Sequence, residues 1–222
     1  MKNSSATVVQ SALAAIAVAL GALHAADCAS QPATSPSSST ARPAAGRQLL
    51  NSERIQHRYG SYGIEVLESD ARVRVSNLYS EAGGQRTCRT FAVVVYPAAL
   101  DAAIATEHAE IVRGGSIGAV FAAHGWRVVK TNLRYVEIDA PARVARLMRI
   151  ADGTRLAAHA YELDVAKPGR SIEYALLVEI HHPDYLQLAD LRTIYGPAAA
   201  ASVRERAVDE LLATALTAAR GP

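Results

Sequence analysis

The adjacent pair His181-His182, followed by Pro183 and Asp184, has the residue types that most directly suit coordination chemistry. Imidazole nitrogens and carboxylate oxygens are the donors that divalent transition metals take from proteins. The pair closes an apolar run from Ser171 to Ile180 that reads as a strand. Successive strand residues point to opposite faces, so one histidine of the two faces a site, and Glu179 shares the face of His181. A second pair, Glu107-His108, lies on a predicted helix and would complete a metal site if the fold carries it to the His182 loop. The expectation is a metal-binding protein or metal-assisted hydrolase using His181, His182 and Asp184, with Glu107 and His108 as further ligands. The same residues also suit a bland arrangement, with His181 packed, His182 solvated and Glu107-His108 on a helix surface.

A third candidate is Gly114-Gly115-Ser116-Ile117-Gly118. Glycines permit close backbone approach, and a helix that starts at Ser116 offers unpaired amide donors, so the segment reads as a small-anion site using Gly114, Gly115, Ser116 and Gly118. Its spacing matches neither a phosphate loop nor a dinucleotide fingerprint. It equally suits a corner between two helices. No nucleophile elbow of the α/β-hydrolase kind is present, no catalytic residue is assigned, and no cofactor is expected. Cys88 stands between Arg86 and Arg89, whose charges would favour a thiolate. It reads as a buried free thiol or as the disulfide partner of Cys28.

The elements that must position these residues follow from punctuation and periodicity. Ser52 to Tyr59 reads as a short helix stopped by Gly60. Ile64–Glu68 and Arg72–Tyr79 read as strands turning at Ser69-Asp70. Phe91 to Tyr96 is apolar without a break, which suits a central strand covered on both faces. Ala98–Arg113 and Ser116–His124 read as helices, Trp126–Ile138 as a strand, and Pro141–Ile150 as a helix. Leu156–Val165 and Ser171–Ile180 form a hairpin across Pro168-Gly169, a turn signature with glycine at the positive-φ position. A polar link from after Tyr185 to Gly196-Pro197 leads into a long amphipathic helix over Ala198–Ala219, with Val203, Ala207, Leu211, Ala215 and Ala218 on one face. Hairpins with helices between and after them give an α+β class: an antiparallel or mixed sheet with helices packed mainly on one face.

The N-terminus predicts where the domain works. Met1-Lys2-Asn3 precedes Ala12–Leu23, an uncharged apolar run too short for a comfortable membrane span, and small residues follow at Ala25-Ala26. This fits a secretory signal over 1–26. Residues 27–47 are rich in Ser, Pro, Ala and Thr and read as a flexible tether, leaving 48–222 as one domain. A signal run, then Cys28, then a polar tether resembles the layout of bacterial lipoproteins, which implies a lipid on Cys28. Ala25 and Asp27 stand where lipoproteins usually carry a leucine-like and a small residue.

Composition narrows the rest. The chain has 222 residues, 50% of them apolar, with 23 Lys+Arg against 21 Asp+Glu. That suits a globular domain and argues against a basic nucleic-acid binder, so no nucleic acid is expected as a partner. The leading expectation is an exported, envelope-associated protein with a non-enzymatic binding or assembly role. It would sit in the periplasm or on the outer surface of a bacterial envelope. Its partner would be an envelope component or another protein, and it would meet the membrane only through a signal anchor or lipid.

Overall fold

The computed structural model describes residues 49–199 and 205–221. The signal, the tether and Cys28 lie outside them, as does the start of the last predicted helix. The described residues form one compact unit.

Six antiparallel strands make one sheet: β1 (Gly63–Ser69), β2 (Val73–Ala82), β3 (Gln85–Val95), β4 (Arg127–Asp139), β5 (Arg155–Lys167) and β6 (Arg170–His181). Their order is β1-β2-β3-β6-β5-β4. The expected α+β class and antiparallel sheet are what the protein has. Short turns set the hairpins. Asp70 Oδ1 accepts the backbone N–H groups of Arg72 and Val73, closing β1 onto β2. Lys167 faces Arg170 across Pro168-Gly169, with Gly169 at φ 76° as the turn requires.

β3 and β6 are central, and their unbroken apolar runs serve two cores at once. On one face Phe91, Val93, Val178 and Ile180 pack against α4 (Ala142–Met148) and α6 (Glu205–Arg220). On the other, Ala92, Val94 and Leu177 lie beneath α1 (Asn51–Tyr59), α2 (Ala105–Val112), α3 (Ile117–Ala123) and α5 (Leu188–Tyr195). Helices therefore flank both faces. α6 buries Val208, Leu211, Ala215 and Ala219, a stripe at spacings of three and four that neighbours the expected one. None of the described helices is long and apolar enough to cross a membrane.

The polar link expected between Tyr185 and Gly196 contains a helix, α5. Asp190 accepts the Gln187 N–H at its start, and Leu191 is fully buried. Its sequence is polar because only a narrow stripe faces inward, so no broad apolar period is visible.

Candidate functional site

The sheet face beneath α1, α3 and α5 carries an unusual set of residues for a core. Arg74 and Ser76 come from β2, Thr90 from β3, Glu179 and His181 from β6, and His159 from β5. Register places them in rows, with Arg74 opposite Val94, Ser76 opposite Ala92, Ala92 opposite Glu179, Glu179 opposite His159, and Thr90 opposite His181. All six are buried. Buried polar groups normally find partners, so those that do not are informative.

A half-open cleft lies between this face and the starts of α1 and α3. Its empty volume, mouth included, is about 580 Å³. The walls are largely apolar, with Ile64, Leu78, Val94, Val128, Leu163 and Leu177. Arg74, Ser76, Lys130 and Glu179 supply the polar groups.

Arg74 is 1% exposed, yet its Nε and Nη2 have no hydrogen-bond partner among the described residues, and neither has Ser76 Oγ. Lys130 Nζ lies 3.9 Å from Glu179 Oε2 and 4.2 Å above the Tyr161 ring. Burial pulls the Lys130 pKa down, with Glu179 opposing. Burial, reinforced by Glu179, holds the Tyr161 phenol well above its usual value. The polar floor of the cleft thus holds two cations and one carboxylate in an apolar enclosure, where electrostatic interactions are strong.

Behind Glu179 the polar groups form a network. Asn51 Nδ2 donates to Glu179 Oε1 at 3.2 Å and to Thr90 Oγ1 at 3.1 Å, and Asn51 Oδ1 accepts from the Tyr185 hydroxyl at 2.6 Å. Thr90 Oγ1 lies 3.1 Å from His181 Nδ1. His159 Nε2 lies 2.9 Å from Asn132 Oδ1, and its ring stacks on Tyr135 with centroids 4.9 Å apart. Burial lowers the pKa of His159 to about 3. It does the same to His181, with Lys130 and Arg54 adding to the effect. Both rings are neutral near neutral pH.

The sequence-predicted metal ligands divide into separate places. Of the five, only His181 belongs to this network. His182 has both ring nitrogens engaged: Nε2 with the Met148 carbonyl at 3.1 Å and Nδ1 with the Asp184 N–H at 3.0 Å. Asp184 itself is exposed, its Oδ2 3.9 Å from His182 Nδ1. Glu107 accepts from Trp126 Nε1 at 2.8 Å, and His108 Nδ1 sits 3.2 Å from the Tyr174 hydroxyl. Tyr174 is seven residues before His181 on β6, roughly 23 Å along an extended strand, so Glu107 and His108 do not meet the histidine pair. The expected five-residue metal site is not assembled, because the strand that carries His181 separates it from the α2 cluster by most of its length.

In the expected anion site, Ser116 and Gly118 line the mouth of the cleft, whereas Gly114 and Gly115 form the corner between α2 and α3. α3 spans seven residues and Ser116 makes no side-chain cap bond. Gly118 is small because Leu50 lies against it: a Cβ there would sit 2.8 Å from the Leu50 methyl carbons. Cys88 has no disulfide partner among the described residues and is 1% exposed. Burial pushes its pKa far up, outweighing Arg89.

Arg74, His159 and Lys130 escaped the sequence reading. Arg74 alternates with Val73 and Val75, the pattern of a solvated strand face. The available signal was the position of that strand beside the doubly covered β3.

No protein-family model matches the chain. No curated protein matches it in sequence either. Solved structures similar to it include a transcriptional regulator of the GntR family from Enterococcus faecalis V583, at 12% identity and TM-score 0.36, covering 57% of this chain and 93% of that one. Another is the C-terminal domain of the histidine utilization repressor from Pseudomonas syringae pv. tomato str. DC3000, at 12% identity and TM-score 0.33, covering 57% and 89%. A third is the C-terminal domain of Yurk from Bacillus subtilis subsp. subtilis str. 168, at 11% and 0.33, covering 57% and 91%. Likenesses at this level say nothing of the chemistry in the cleft. Two of the three bear the name of a regulator or a repressor and none that of an envelope protein, and four expectations are corrected accordingly. The exported envelope role, the periplasmic or outer-surface location with its signal and lipid anchor, the envelope partner, and the exclusion of nucleic acid are withdrawn.

Proposed function

We propose that the domain is a binding module for a small organic anion, held in the cleft with its carboxylate or comparable group on Arg74. The observation that carries this is the guanidinium of Arg74: buried, lining a cleft, and without a partner on Nε and Nη2. A charge withdrawn from water is costly unless something pairs with it, and a guanidinium's fork of donors suits a carboxylate or phosphate oxygen pair.

The remainder of the cleft supports the same reading. Its apolar walls suit a hydrocarbon or ring, and Ser76 Oγ, Lys130 and Glu179 offer a few fixed polar contacts. Ligand sites with mostly apolar walls and a few convergent polar groups are the common kind. Glu179 beside Lys130 would accept a ligand hydroxyl while Arg74 takes the charge.

The test is calorimetric titration with a panel of aromatic and aliphatic carboxylates, each paired with its neutral amide. A carboxylate should bind while its amide does not, and Arg74→Met should weaken binding about 10–100-fold, the loss of one or two charge-assisted hydrogen bonds. Equal binding of acid and amide, or an unchanged affinity in Arg74→Met, would contradict the proposal.

A further inference from the structure

Beside the cleft, three acceptor atoms of separate side chains converge. His181 Nε2 is 4.0 Å from Glu179 Oε2, and one donor atom from each of His159, Glu179 and His181 lies within 4.8 Å of the others. His159 Nδ1, Glu179 Oε2 and His181 Nε2 are all buried, and none has a hydrogen-bond partner among the described residues. We infer that His159, Glu179 and His181 form a binding site for a divalent transition metal such as zinc.

Each ligand is already oriented from behind. Asn132 Nδ2 donates to the Tyr195 carbonyl, so its Oδ1 must be the atom that meets His159 Nε2. His159 therefore carries its proton on Nε2 and presents a bare lone pair at Nδ1. His181 donates from Nδ1 to Thr90 Oγ1 in the tautomer that frees Nε2. Glu179 is held by Asn51 through Oε1, leaving Oε2 as the free oxygen. Histidine ligands in metal sites have this second hydrogen bond on the other ring nitrogen. In that tautomer two bare imidazole nitrogens and a carboxylate oxygen lie close together, an arrangement that a cation between them would stabilise. Bonds of about 2.0–2.2 Å to a tetrahedral ion put ligand atoms about 3.4 Å apart. Shifts of less than about 1 Å in each side chain close the set to that spacing.

Two cations bear on this site. Lys130 lies 3.9 Å from Glu179 Oε2, and the charge of Arg54 reaches His181. Lys130 also lines the cleft, so its ammonium has room to swing away from Glu179 when an ion enters from that side. Lys130 and an entering ion compete for the same carboxylate. This gives the proposal a variant expected to improve binding, which mere loss of structure would not do. The site goes beyond the anion-binding reading and shares only Glu179 and Lys130 with it.

The experiment uses the full-length chain, stripped with EDTA and titrated with Zn²⁺ and, separately, with Co²⁺. The expected result is one ion per chain, with visible d–d absorption from Co²⁺ bound through imidazole. Both should be lost in His159→Phe, which keeps a ring against Tyr135, and in His181→Gln. Asn132→Leu should weaken affinity about 10–100-fold, as removal of an outer hydrogen bond does elsewhere. Lys130→Met should tighten it, and Arg74→Met should leave it unchanged while weakening carboxylate binding about 10–100-fold. If the histidine variants misfold by circular dichroism, the opposite shifts in Asn132→Leu and Lys130→Met carry the test. No stoichiometric binding by the unaltered chain, a Co²⁺ spectrum retained in folded His159→Phe, or identical affinities in Asn132→Leu and Lys130→Met would overturn the inference.

Discussion

Asn132 sets the tautomer of His159. Its Oδ1 lies 2.9 Å from His159 Nε2 while its Nδ2 donates to the carbonyl of Tyr195. The relationship ties β4 and β5 to the end of α5, so the short helix above the sheet fixes the proton on a ring beneath it. The site face is thus organised by contacts between strands and the helices that cover them.

The buried guanidinium of Arg74 trades stability for binding. Replacing even a buried ion pair with apolar side chains of similar volume is often neutral or stabilising by about 1–4 kcal/mol, and a buried charge without a pair has less attraction to lose. Arg74→Met should therefore raise the urea midpoint of the ligand-free protein, although the same substitution weakens carboxylate binding. A fall of the midpoint would show that Arg74 is paired in the folded chain.

His159 and His181 make the metal-free domain acid-sensitive. Burial holds both near pKa 3 in the folded chain against an ordinary value of 6.5. Above about 6.5 both rings are neutral whether the chain is folded or not. Between that value and about 3 only the unfolded chain takes up protons at these positions, so folding stability falls as pH is lowered through the window. Urea midpoints measured across it should fall less steeply in His159→Phe and His181→Gln. Identical slopes in variant and unaltered protein would count against neutral, buried rings.

Cys88 should be inert in the folded state. It is 1% exposed, and burial raises its pKa, which removes the thiolate that alkylating agents need. A maleimide or disulfide reagent should label it only when denaturant unfolds the domain. Rapid labelling under native conditions would contradict this placement.

Much of the fold could be read from the chain. The unbroken run Phe91–Tyr96 marked the central strand, Pro168-Gly169 marked the β5–β6 hairpin, and Ser69-Asp70 marked the first turn. Those signals are local: a turn residue or a length of apolar chain acts wherever it stands. The site was less legible because it is assembled by register. His159, Glu179 and His181 meet through the pairing of β5 with β6, and Arg74 is interior only because β2 lies beneath α1 and beside β3. His181-His182 attracted notice by adjacency, but alternation along the strand sent His182 to the other side, where Met148 and Asp184 occupy it. α5 was missed because its buried stripe is narrow.

Phe91 shows how much the second core matters. It is fully buried among α4, α6 and the sheet. Phe91→Ala should lower unfolding free energy by about 3–5 kcal/mol, measured by urea denaturation. Carboxylate affinity in the folded fraction should hardly change, since Phe91 faces away from the cleft. A loss below about 1 kcal/mol would indicate that this core is loosely packed.

The most direct test of the central claim is a crystal structure of the domain with a carboxylate found by titration. The account predicts the carboxylate in the cleft, within hydrogen-bond distance of Arg74 Nε or Nη2, with its hydrocarbon part against Leu78, Val94 and Leu177. A carboxylate bound elsewhere, or seated in the cleft with Arg74 Nε and Nη2 still without a partner, would contradict it.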